Sequence, residues 1–193
     1  MKLASFSIGN RCSYGVVTDE GVIDISQQPG APGNLRSALA KLTTEEIAAL
    51  TAGRLPDHEL GDIVYLPPIT DPKKILCIGV NYVNRNEEYD ETTLPQYPSV
   101  FIRTPGSLVG HLQPIIRPME SKQLDYEGEI AIIIGKAGRR IPQESAESYI
   151  AGLTVLQEGS VRDWMRHGKF NVTQGKNFER SGAIGPWLIT ADE

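Results

Sequence analysis

LDYEGEIAIIIGK, residues 124–136, sets two carboxylates at the head of one of the most apolar stretches of the chain. The run from Glu129 to Ile134 is too short for most helices, is rich in isoleucine and stops at a glycine, so it reads as a strand. Alternate side chains of a strand share a face, which puts Glu127 and Glu129 on one side and Gly128 and Ile130 on the other. On a wet edge such a pair carries no chemistry. On a buried face it either shares a proton or holds a cation.

Outward from this stretch, strand signals recur at SVFIRT (99–104), QPIIRP (113–118), YIAGLTVLQ (149–157) and GPWLIT (185–190). KILCIGVNY (74–82) reads as a buried strand running into a polar, proline-closed segment, residues 83–98, long enough for a functional loop or lid. Helical signals are sparse here, at QESAESY (143–149) and SVRDWMRHG (160–168). The first 25 residues alternate apolar runs with turns, the pattern of a small antiparallel sheet. TTEEIAALTAG (43–53) predicts a short helix with Thr43 as N-cap, Glu46 completing a capping box and Gly53 as the stop. The prolines of LPPITDP (66–72) mark a boundary. A small N-terminal α+β domain over residues 1–70 and a strand-rich metal-binding catalytic domain over 71–193 are therefore expected.

The net charge of −5 with scattered basic residues argues against nucleic acid or an anionic membrane as partner. No apolar run approaches the roughly 20 residues of a spanning helix, and MKLASFSIGN lacks the apolar core of a secretory signal, so a cytoplasmic location is expected. Cys12 and Cys77 lack CxxC spacing and read as small buried thiols in a reducing compartment.

YIAGLTVLQEGSVRD delivers a third carboxylate, Glu158, where apolar character ends. Three carboxylates at strand ends suit a hard ion, Mg²⁺ or Mn²⁺, better than zinc. GKNF then places Lys176 after a glycine. A metal with a lysine beside it suits polarising a carbonyl and stabilising an enolate.

The runs CIGVNYVNRNEE, DYEGEIAIIIGK, AGLTVLQEGSVRDW and QGKNFERSGAIGPWLIT, in that order, resemble the fumarylacetoacetate hydrolase superfamily, in particular its bacterial acylpyruvate hydrolase and 2-hydroxyhepta-2,4-diene-1,7-dioate isomerase branch. The resemblance covers residues 73–193 strongly and the N-terminal part loosely. It implies an α+β, strand-rich fold, a mixed β-sheet roll preceded by a small α+β domain, and a homodimer. It also implies that Glu127 and Glu129 are two ligands of a Mg²⁺ or Mn²⁺ ion. The third ligand, aspartate in an Asn-Asp pair of the family, falls on Glu158 of Gln157-Glu158. Lys176 takes the place of the lysine that binds substrate oxygens. The implied reaction is hydrolysis of a C–C bond in a small 2-oxo acid, such as an acylpyruvate, through a metal-stabilised enolate.

The chain departs from the family pattern at several places. The pattern NYxxHxxE, whose histidine activates water, reads NYVNRNEE: Asn81, Tyr82 and Glu88 match, but Arg85 stands in the histidine position. Arginine stays protonated and cannot serve as a general base. Glu88 then acts directly or through water in tautomerisation, isomerisation or decarboxylation of a 2-hydroxydienoic or 2-oxo diacid, as in aromatic catabolism, or Arg85 clamps a second substrate carboxylate, or the protein is an inactive relative that binds or assembles. Met165 replaces a glutamine of RDWQ-type sequences. The chain ends before the family's GTPxGVG segment, so a truncated domain is expected. His111, His167, Trp164 and Trp187 read as structural or surface residues, and Arg162 with Asp163 as a brace for the turn carrying Glu158.

Overall fold

Strand β1 (Lys2–Ile8) turns at Gly9 and returns as β2 (Arg11–Val17), paired from Lys2↔Val17 to Ile8↔Arg11. Gly9 holds φ +55°, where a side chain would strain the two-residue turn. β3 (Val22–Asp24) extends the sheet beyond β2. The computed structural model describes residues 1–81, 97–168 and 171–193. Helices α1 (Leu35–Leu39) and α2 (Thr44–Thr51) follow, and α2 begins as the sequence predicts. The Thr43 side chain accepts from the Glu46 N–H while the Glu46 carboxylate accepts from the Thr43 N–H, satisfying two donors that a helix start leaves open. β4 (Val64–Tyr65) closes this part against β1.

Alternate residues of β1 feed two apolar clusters. Leu3 packs with Tyr14, Ile25, Leu35, Ile47 and Leu188, and Ala4 and Phe6 pack with Val17, Val22, Ile63 and Tyr65. The period of two in the sequence is thus spent on two interiors, one on each face of the strand.

After the proline-rich boundary, β5 (Ile75–Gly79) and β6 (Ser99–Arg103) form a separate antiparallel ribbon. The remaining strands are β7 (Leu108–Val109), β8 (Leu124–Asp125), β9 (Gly128–Ile134), β10 (Ile150–Gln157), β11 (Ser160–Val161), β12 (Gly182–Ile184) and β13 (Leu188–Thr190). Between them lie two single-turn helices, α3 (Arg162–Met165) and α4 (Thr173–Lys176). β10 is the hub: it pairs with β9 along most of its length and also with β12 and β13. β13 in turn pairs with β1 at Lys2↔Ile189 and Leu3↔Leu188, so one sheet runs across residue 70 in the order β3-β2-β1-β13-β10-β12-β7. β12 and β7 are parallel and the other neighbours antiparallel, which makes the sheet mixed. The strand-rich α+β expectation is met.

Four local expectations are corrected. QPIIRP forms no strand, because Pro114 and Pro118 remove ladder donors at both its ends; the Ile116 N–H is satisfied instead by the Arg180 carbonyl. QESAESY is a 3₁₀ helix, Gln143–Tyr149. Strand β5, expected to be buried, is half-buried on one face and exposed on the other, as β9 is, with Leu76, Ile78, Ile130, Ile132 and Ile134 exposed. Cys12 is exposed, opposite Ser7 in the β1–β2 ladder, and Cys77 is half-buried. Among the described residues no helix is long and apolar enough to cross a membrane.

Candidate functional site

The β9–β10 ladder builds the site. Gly128 pairs with Gln157 and Glu129 with Leu156, and the pairing runs one step further, with the Glu158 N–H donating to the Glu127 carbonyl at 2.8 Å. Continuing the antiparallel register past both strand ends thus sets Glu158 opposite Glu127. Glu129 lies two residues along the same face. One carboxylate oxygen from each of Glu127, Glu129 and Glu158 lies within 4.8 Å of the others. The sequence reading of these three as a cluster is realised in space, with Glu158 buried and the other two half-buried.

Lys176, at the end of α4, is 3% exposed and bridges two of the three: its Nζ donates to Glu127 Oε2 at 2.6 Å and to Glu158 Oε2 at 2.8 Å. It also stands 5.2 Å over the Phe101 ring. Asn177 places it. The Asn177 amide donates to the carbonyls of Ile102 and Thr173, and its oxygen accepts from the Thr104 N–H, stapling α4 to the end of β6. Gly175 permits the close fit, since a Cβ there would stand 2.3 Å from Met165 Cγ and 2.8 Å from the Val161 carbonyl oxygen. Met165 therefore packs beneath the lysine's helix.

Glu127 is held on both oxygens. Oε1 accepts from Ser160 Oγ at 3.0 Å and pairs with Arg162 Nη1 at 2.6 Å, while Oε2 belongs to Lys176. Burial raises its pKa, yet the lysine, Arg162 and Ser160 together outweigh that and hold it below the usual glutamate value. Arg162 also donates to Asp125 at 2.9 Å, and Ser121 bonds Asp163 at 2.7 Å. The expected brace exists, but Arg162 does more than brace, because it touches a candidate ligand directly.

Glu158 differs. Its Oε2 is taken by Lys176, but Oε1 is buried with no hydrogen-bond partner, and the nearest cation, Arg103 Nη1, is 3.8 Å away. Leaving a buried acceptor unsatisfied costs about 1–3 kcal/mol, more for a charged one. An oxygen-rich cluster with an open, buried carboxylate oxygen fits a hard divalent cation by donor type. Glu127, Glu129 and Glu158 would hold it.

Arg85 and Glu88, expected to act on the substrate, lie outside the described residues. His111 and His167 stand apart from the cluster, packed against the rings of Tyr65 and Trp164 respectively. Arg103, near the carboxylates, was not singled out from the sequence, and Cys77 was read there only as a packed thiol. Arg103 closes the apolar run SVFI, and a charge at the end of such a run was the available signal. Burial and the nearby Glu158 carboxylate push the Cys77 thiol up to about 12, which keeps it protonated.

Residues 74–193 match the family model described as fumarylacetoacetate (FAA) hydrolase C-terminal. The chain belongs to this family. It is 36% identical over 176 residues to the oxaloacetate tautomerase Fahd2a, mitochondrial, of Rattus norvegicus, a match that takes in 89% of this chain and 56% of the relative. It is 32% identical over 212 residues to the oxaloacetate tautomerase YisK of Bacillus subtilis, covering 98% of this chain and 69% of that protein. Among solved structures, a fumarylacetoacetate hydrolase from Exiguobacterium antarcticum superposes with a TM-score of 0.81 at 29% identity, over 100% of this chain and 67% of that one. A 2-hydroxyhepta-2,4-diene-1,7-dioate isomerase from Mycobacterium marinum shares the fold, with a TM-score of 0.71 at 24% identity over 98% of this chain and 66% of that one. The chain thus spans little more than half the length of the rat relative, and the mixed-sheet architecture is that of the family.

Proposed function

We propose that the chain carries the metal centre of an enzyme that interconverts the enol and keto forms of a small 2-oxo diacid of the oxaloacetate type. The observation that carries this reading is the charge balance of the cluster. Among the described residues Glu127, Glu129 and Glu158, with Asp125 on Arg162, stand against Lys176, Arg162 and Arg103, four negative side chains to three positive ones. A divalent ion added to this set leaves an excess of one positive charge, which an anionic oxo acid offsets and a neutral ligand does not.

When bound, a Mg²⁺ or Mn²⁺ ion would act as a Lewis acid that polarises a carbonyl oxygen. The chain's own part is to bind and to orient. Glu127, Glu129 and Glu158 supply the oxygen donors, Lys176 offers an ammonium to a developing enolate oxygen, and Ser160 and Arg162 keep Glu127 ionised and in place. Tautomerisation moves one proton from the enol hydroxyl to the neighbouring carbon and needs no activated water. That fits Arg85, which cannot act as a base, better than C–C hydrolysis does. Similarity to proteins named oxaloacetate tautomerase supports the same choice. The hydrolytic reading is favoured by the likeness to a fumarylacetoacetate hydrolase structure and remains the second reading.

Enol loss from oxaloacetate, followed by ultraviolet absorbance with Mn²⁺ present, tests the proposal against acylpyruvate cleavage and pyruvate release. Faster enol–keto interconversion, reduced at least about a hundredfold in Glu127→Gln, is the expected result. Acylpyruvate cleavage without accelerated tautomerisation would overturn it in favour of hydrolysis.

A further inference from the structure

Arg103, the last residue of β6, has a fully buried side chain. A guanidinium carries five N–H donors in a fixed fork, and four directions of this one are used. Nε donates to Ser107 Oγ at 3.2 Å, Nη1 to the Gly159 carbonyl at 3.0 Å, and Nη2 to the Ser107 carbonyl at 3.4 Å and to Ser181 Oγ at 3.3 Å. Nη1 also lies 3.8 Å from Glu158 Oε1, the carboxylate oxygen without a hydrogen-bond partner. Gly159 is pressed against the same loop, for a Cβ there would meet the Ser181 carbonyl oxygen at 1.7 Å. On the other side, Asn177 bonds the backbone of Ile102 and Thr104, the two neighbours of Arg103, and so ties this point of β6 to Lys176.

Burying a guanidinium is costly, and burial lowers its pKa against the opposing pull of Glu158. Packing alone gives no reason to keep it. We propose that Arg103 is the positioning residue of the carboxylate cluster. It grips the Glu158–Gly159 turn through the Gly159 carbonyl, so that Glu158 Oε2 stays on Lys176 while Oε1 stays open to a divalent cation. This rests on the metal reading above.

Charge and position make opposite predictions here. A permanent cation 3.8 Å from a ligand oxygen repels a second cation, so charge alone predicts that removing Arg103 tightens metal binding. The positioning role predicts that removal weakens it, and that lysine, a point charge without the fork, does not rescue it.

The test titrates Mn²⁺ into the full chain by calorimetry and by electron paramagnetic resonance, comparing wild type with Arg103→Lys, Arg103→Met, Ser181→Ala and Val17→Ala. Both Arg103 variants are expected to bind Mn²⁺ at least about tenfold more weakly, with a changed resonance line shape, as removing an outer partner of a metal ligand does. Ser181→Ala, which removes one arm of the fork and keeps the folded state even if the Arg103 variants lose it, is expected to weaken binding about threefold. Val17→Ala, in the N-terminal core, is expected to lose thermal stability without moving the affinity, which separates positioning from general destabilisation. Tighter binding by Arg103→Met overturns the inference, as does wild-type affinity within about twofold in Arg103→Lys or in Ser181→Ala. Wild type that binds no Mn²⁺ overturns the metal reading together with the inference.

Discussion

The interior before residue 70 and the interior after it are built from opposite materials. In the first, Leu3, Phe6, Tyr14, Ile25 and Leu35 exclude water, and the buried ion Asp24 is enclosed by Arg11, Ser13 and Ser26. In the second, Arg103, Glu158 and Lys176 are each 3% exposed while Ile130, Ile134 and Val155 stand more than 60% exposed on strand faces. Apolar transfer stabilises the first region, whereas in the second the same sheet holds buried charges against one another. What differs is replaceability: a missing apolar group leaves a cavity, but a missing cation can be replaced by another cation.

Phe6→Ala should show the largest effect, a loss of about 3–5 kcal/mol read from urea unfolding, unchanged by divalent ions. Lys176→Met comes next, at about 3 kcal/mol, because it leaves Glu127 and Glu158 facing each other without their shared cation. Unlike the first loss, this one should be partly recovered by millimolar Mn²⁺, which binds the folded state alone. Full stability of Lys176→Met in chelator would break the comparison.

This contrast also explains what could be read in advance. Capping at Thr43 and Glu46 and the two-residue turn at Gly9 are local chemistry, and they were legible. Glu127, Glu129 and Glu158 could be grouped because each sits at a strand end beside an apolar run. Their mutual approach within 4.8 Å depended on register, which the sequence only implied. Arg103 escaped notice because its partners, at Gly159 and Ser181, are 56 and 78 residues away. The open face of β5 escaped too, since Leu76 and Ile78 resemble core residues until their neighbours are known.

The buried ion of the first region should report itself through pH. Burial raises the pKa of Asp24, but hydrogen bonds from Ser13, Ser26 and Arg11 overcome this and bring it below the usual aspartate value. The unfolded chain therefore takes up this proton at a higher pH than the folded one. The resulting stability is full above about pH 4 and fades as pH falls through the folded pKa. Asp24→Asn should cost about 1–2 kcal/mol at neutral pH, and its melting temperature should converge on that of wild type in acid. A constant gap across the acid range would mean that shape, rather than charge, accounts for the loss.

The smallest effect is expected on the exposed face of the second region. Ile132 lies opposite Leu153 on a face that also carries Ile130, Val155 and Ile189, all exposed. Threonine there keeps the β-branch that suits a strand and gives up only apolar surface that already meets water. Ile132→Thr should thus change unfolding free energy by less than about 0.5 kcal/mol, the range of an ordinary surface substitution. The same exchange at Ile47, 2% exposed in the N-terminal core, puts a hydroxyl among apolar neighbours and should cost several times more. If Ile132→Thr proved as costly as Ile47→Thr, the face would be behaving as an interior, and the difference between the two regions would lie only in their buried charges.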